Sequence, residues 1–123
     1  MKKIAPLIFI IVVFLVGYKF YQANRTPPIS DADANLILYW GDGCVHCEKV
    51  KKYITDNQLD SKIKIAYKEV YYNKANQKQL EATVAKCPEL NSSDGSGVPL
   101  AFDPLSQKCI SGDEPIISWL GTK

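Results

Sequence analysis

One long apolar stretch and seven shorter apolar clusters divide the chain. From Ile4 to Phe14 nearly every residue is apolar, and the character persists through Tyr18. Counted on to Tyr21, with Lys19 snorkelling, the stretch reaches the lower limit of about 17 residues for a helix that spans a bilayer. Lys2 and Lys3 ahead of an apolar core also fit a secretory signal peptide. Cleavage needs small residues one and three before the cut. Ala23 supplies one, whereas Tyr21 is too bulky for the other. The expectation is therefore an uncleaved, single-pass signal anchor over 4–21, with secretion after cleavage as the alternative. Lys2, Lys3 and the amino terminus place residues 1–3 in the cytoplasm and the rest of the chain outside it.

Residues 22–34 are polar and aperiodic, with Pro27 and Pro28, and predict a tether. A domain of about 89 residues, over 35–123, is enough for one modest core. Leu36-Ile37-Leu38-Tyr39 is a continuous apolar run, which suits a central strand covered on both faces. Cys47, Val50 and Ile54 then fall at helical spacing, with Glu48, Lys49, Lys51 and Lys52 on the outer face and Glu48 one turn from Lys52. Ile63, Ile65 and Tyr67 alternate with lysines, predicting a strand from Lys62 to Val70 parallel to the first. Asn73 caps a helix whose inward stripe is Leu80, Val84 and Cys87, and Pro88 closes it. Asn91 to Gly97 predicts an exposed loop. After it come an apolar run, Leu100-Ala101-Phe102, a turn over 103–106 and a hairpin strand over 107–110. Asp113 is expected to cap a last helix carrying Ile116, Ile117, Trp119 and Leu120.

Between the first strand and the first helix of this domain lies Trp40-Gly41-Asp42-Gly43, then Cys44-Val45-His46-Cys47. Two thiols three residues apart on the first turn of a helix share a face, so their sulfurs can join or separate with little backbone movement. Helix amides without partners and the positive end of the macrodipole favour a thiolate on Cys44, which makes it both nucleophile and leaving group. A protonated His46 would favour the same charge. Cys44 is thus the expected nucleophile and Cys47 the resolving thiol. A Cys-x-x-Cys pair also serves as half of a zinc site, but Cys87 and Cys109 are isolated and His46 is the sole histidine, so no second close pair completes one.

Charge narrows the partners. The chain has 15 Lys plus Arg against 13 Asp plus Glu, and without Lys2, Lys3 and Lys19 the balance is 12 to 13. A domain so close to neutral has no nucleic-acid footprint.

The order strand, Cys-x-x-Cys helix, strand, helix, Val-Pro strand, hairpin strand, helix resembles the thioredoxin superfamily, on Trp40, the Cys44–Cys47 quartet and Val98-Pro99. The resemblance implies an α/β fold, a thioredoxin-like βαβαββα three-layer sandwich with a mixed sheet, here preceded by one N-terminal transmembrane helix. It also implies that Pro99 is cis and sits against the cysteine pair, that the Val98 backbone meets an extended substrate segment, and that Trp40 lines the rim of the substrate groove. The Val-His dipeptide is similar to the Pro-His of periplasmic thiol oxidants more than to the Gly-Pro of reducing thioredoxins. Many members bury a carboxylate six residues before the first cysteine; Leu38 stands there, leaving proton transfer to Glu48 or water. Cys87 and Cys109 are either two small buried hydrophobes or, in an oxidising compartment, a structural bridge.

The expected activity is that of a membrane-anchored, extracytoplasmic thiol-disulfide oxidoreductase. It would act as a monomer on protein thiols and disulfides through Cys44 and Cys47, without organic cofactor or metal, and would be recycled by an unidentified redox partner. Competing readings are a dedicated reductant as in cytochrome maturation, a thiolate chaperone for copper or zinc, and a binding module that uses the fold without chemistry.

Overall fold

The computed structural model describes residues 4–23, 28–90 and 97–123, with side chains along the first segment described over 7–22. Its elements run α1 (Ile4–Ala23), β1 (Leu36–Trp40), α2 (Val45–Asp56), β2 (Ile65–Glu69), α3 (Lys74–Val84), β3 (Leu100–Asp103), β4 (Lys108–Ser111) and α4 (Asp113–Leu120), with a 3-10 turn at Leu59–Ser61 before β2. The four strands form one mixed sheet in the order β2-β1-β3-β4, with β1 parallel to β2 and β3 antiparallel to both its neighbours. This small α/β domain is compatible with a thioredoxin-like fold.

β1 is central because it has no polar face to offer water. Leu36 and Leu38 pack with Val50 and Ile54 of α2 and with Ile116 and Leu120 of α4 on one side of the sheet. Ile37 and Tyr39 pack with Ala66, Leu80 and Leu100 on the other. The period-2 alternation of a strand sends successive side chains to opposite faces, so β1 serves both layers of the core. Under α3 the Tyr39 hydroxyl finds Thr83 Oγ1 at 2.9 Å, and Thr83 in turn donates to the Gln79 carbonyl.

Several elements depart from the expected pattern for local reasons. β2 is shorter than 62–70 and its alternation breaks. Ile65 and Ala66 are both buried, while Tyr67 turns outward at the sheet edge and donates to Asp60. α3 ends at Val84, so Cys87 lies past the helix rather than on its stripe, and Thr83 takes the buried position instead. Asn73 does cap α3, accepting from the Ala75 and Asn76 amides at 3.1 Å. Gly112, not Asp113, is the N-cap of α4, which frees the Asp113 carboxylate for other contacts. On α2, Glu48 pairs with Lys51 and Lys52 pairs with Asp56, in place of the expected Glu48–Lys52 pair. The loop expected at Asn91 to Gly97 lies, except for Gly97, outside the described residues.

The segment before β1 is tied down at its domain end. Ile29 and Ala34 join the second core cluster. Asp31 pairs with Lys68 of β2 at 2.6 Å and accepts from Gln79 of α3 at 2.5 Å.

α1 joins neither core cluster, and its large apolar side chains from Leu7 to Tyr21 are at least half exposed. Among the described residues no helix is long and apolar enough to cross a membrane. The spanning anchor expected over 4–21 is therefore not supported.

Candidate functional site

The cysteine quartet sits where β1 ends and α2 begins. Gly43 makes the turn at φ 76, a left-handed conformation that side chains resist. Gly41 lies under the ring of Tyr71, which a Cβ there would displace. Cys44 is the N-cap of α2 rather than its first helical residue, and its Sγ accepts from the Cys47 amide at 3.2 Å. The sulfur thus takes the role a Ser or Asp oxygen fills at other helix starts, and an anion there would gain most from it. Cys44 and Cys47 form a disulfide, with Cα atoms 5.2 Å apart. Cys44 is partly exposed, whereas Cys47 is 1% exposed. A nucleophile from solvent therefore meets Cys44 first.

The Val98–Pro99 peptide bond is cis, and the Val98 carbonyl oxygen lies 3.8 Å from Cys44 Sγ. The Pro99 carbonyl accepts from the Gly112 amide at 3.0 Å, which ties this turn to the start of α4. A cavity of about 190 Å³ opens beside it, between Tyr71, Leu80 and Val98. Trp40 ends β1, half-buried, with the Lys51 ammonium 3.9 Å from its ring centre. Cys44, Cys47, His46, Val98 and Pro99 thus converge on one end of the sheet, with Trp40 at its edge.

Two carboxylates that the sequence pattern did not assign to the site organise this end. Asp113 Oδ2 lies 3.0 Å from His46 Nδ1 and 3.1 Å from Lys49 Nζ, joining the starts of α4 and α2. The His46 ring, and after it the Lys49 ammonium, hold the Asp113 carboxyl well below the usual carboxylate range. Only the residue type and its place before an apolar helix were visible in the sequence, and both pointed to a cap.

Glu69, at the end of β2, gathers four backbone amides. Its Oε1 accepts from Tyr71 at 2.8 Å and Asp42 at 3.4 Å, and its Oε2 from Tyr72 at 3.0 Å and Asn73 at 3.2 Å. It thereby closes the β2–α3 loop and links it to the turn before Cys44. Tyr71 and Tyr72, whose aromatic character reads as packing, are 56% and 80% exposed, and Tyr71 lies over Gly41. Partial desolvation pushes the Glu69 carboxyl up, but the amides of Tyr72, Tyr71, Asp42 and Asn73 outweigh it and hold it below its ordinary value. Stability from such a group is complete above the unfolded carboxyl range, near pH 4.3, and is lost as pH falls through the lower folded value. Glu69→Gln should therefore remove part of the acid-side loss of thermal stability below about pH 5. Melting curves of both proteins from pH 6 down to pH 3 check this, and parallel curves would refute it.

Cys87 and Cys109 form the second disulfide, both 3% exposed, and the Glu89 carboxylate accepts from the Cys109 amide at 2.8 Å. Among the described residues, Cys87, Glu89 and Cys109 bring ligand atoms within 4.8 Å of one another, a grouping that suits a metal only with the bridge open. His46 does not join Cys44 and Cys47 in such a group. Leu38, in the position where a carboxylate would be expected by resemblance, is wholly inside the first core cluster, and Glu48 faces Lys51.

Comparison of the chain with protein-family models, with curated proteins and with solved structures gives no significant match.

Proposed function

We propose that this chain is a thiol-disulfide oxidoreductase of the thioredoxin superfamily, exchanging disulfides with protein substrates through Cys44 and Cys47. One observation carries the reading. The partly exposed Cys44 sulfur caps α2, receives the Cys47 amide and faces the Val98 carbonyl at 3.8 Å across a cis Pro99. Such a sulfur is stabilised as a thiolate, which is the form that attacks and leaves in exchange. The Val98 backbone beside it offers an edge to an extended substrate segment, and Trp40 borders the same surface. Cys44 attacks or is attacked to form a mixed disulfide, and the buried Cys47 resolves it.

Two disulfides and no free cysteine suit an oxidising compartment outside the cytoplasm. α1, apolar on all its faces and outside the core, needs apolar surroundings, and the reading gives it the task of holding the domain at a membrane. The Val-His dipeptide leans the couple toward oxidant or isomerase rather than dedicated reductant. For two electrons, the roughly 150 mV between reducing and oxidising family extremes amounts to about 7 kcal/mol.

Equilibrating the full chain in glutathione buffers of graded potential, trapping with acid and weighing the alkylated protein reads the Cys44–Cys47 couple. The expected value lies between about −230 and −120 mV, in the range of glutaredoxins and periplasmic oxidants. A value near −270 mV would move the assignment to the reductant. A pair that never equilibrates would end the oxidoreductase reading.

A further inference from the structure

The oxidised pair needs a substrate thiol to lose its proton before attack, and the sequence leaves that proton to Glu48 or water. Leu38 is apolar and buried, and Glu48 is held by Lys51. His46 remains, between the two cysteines in the chain, with a side chain 64% exposed, and it is not loose, because its Nδ1 is held by Asp113. An ionised carboxylate only accepts hydrogen bonds, so in the neutral ring Nδ1 carries the proton and Nε2 keeps its lone pair. Asp113 is itself fixed by Lys49, by its place at the positive end of α4, and by the Gly112 amide bonded to the Pro99 carbonyl next door. One connected piece of structure therefore sets the His46 ring, the cis-proline turn and the N-cap sulfur relative to one another.

Building on the oxidoreductase reading, we infer that His46 is the general base toward the incoming substrate thiol, and that Asp113 is the positioning residue that keeps Nε2 free to act. In the first step a substrate thiol gives its proton to Nε2, and the resulting thiolate attacks Cys44 Sγ. A substrate–Cys44 bond forms, the Cys44–Cys47 bond breaks, and Cys47 leaves as a thiolate. A second substrate thiol then gives its proton to the Cys47 thiolate and attacks the substrate sulfur of the mixed disulfide, which expels Cys44 as a thiolate. Two electrons pass from two substrate thiols to the protein, and the products are a substrate disulfide, a Cys47 thiol, a Cys44 thiolate and an imidazolium at His46.

The test compares two thiols as substrates of the oxidised full chain by stopped flow: a cysteine peptide, protonated at neutral pH, and thionitrobenzoate, already ionised. His46→Gln should slow oxidation of the peptide by on the order of 100-fold and Asp113→Asn by about tenfold, while both change the thionitrobenzoate rate less than about threefold. Asp113→Glu should recover most of the lost rate. In the His46→Gln background, Asp113→Asn should add nothing, because Asp113 acts through the ring. As the chain has one histidine, its ring ¹⁵N spectrum is unambiguous. The Nδ1-protonated tautomer should dominate in the unaltered protein and lose its dominance in Asp113→Asn. Equal slowing with both thiols, no slowing with either, or an Nε2-protonated ring in the unaltered protein would each overturn the inference. If the unaltered chain oxidises neither thiol, the oxidoreductase reading itself fails.

Discussion

Cys44→Ser should abolish the proposed disulfide exchange, lowering the rate by on the order of 10³-fold or more, as removal of a covalent nucleophile does. Cys47→Ser behaves differently. The Cys44 thiolate should still attack the peptide disulfide and expel one of its sulfurs as a thiolate, but the buried partner that would release the substrate is gone, so mixed disulfides accumulate and can be isolated and weighed. The asymmetry follows from burial: Cys47 is 1% exposed beneath the N-cap sulfur, while Cys44 is reachable from solvent. Non-reducing mass spectrometry of both variants after incubation with a disulfide-bonded peptide checks this. Exchange that survives in Cys44→Ser, or adducts that form on Cys47 first, would reverse the assignment of roles.

The second large effect is on stability. Replacing Cys87 and Cys109 together by alanine should cost about 3 kcal/mol, the chain entropy released when a loop of this length is no longer closed. For a domain of this size that is a fall in Tm of roughly 10 to 20 °C. The bridge spans a sequence separation of 22 and joins the stretch after α3 to β4. The Glu89 carboxylate also reaches the Cys109 amide, a second and weaker tie across the same place. Calorimetry of the double variant against the unaltered chain decides it. A shift of only a degree or two would show that packing, not the bridge, holds this edge.

Much of the architecture is readable in the pattern of residues because it is set locally. A four-residue run with no polar member has to be a central strand, and Asn before an amphipathic stretch has to cap. The contacts that complete the candidate site are not local. His46 and Asp113 are 67 residues apart, and nothing at either position announces the other. Asp113 reads as a helix cap by type and place. Only the preceding glycine, which takes the cap itself, frees the carboxylate to turn toward α2. Glu69 is similar, since an acidic residue at the end of an edge strand looks like a solvated one until the following loop folds its amides around it. The tyrosine pair shows the converse. Aromatic character suggests packing, but the loop closed by Glu69 leaves both rings on the surface, with Tyr71 over Gly41.

Asp31, bound at once to Lys68 and Gln79, bears on mechanics as well as on folding. A tug on the leading segment is delivered to the outer strand and to α3, whose hold on the sheet resists it. Part of that pull is thereby shared out before it reaches β1.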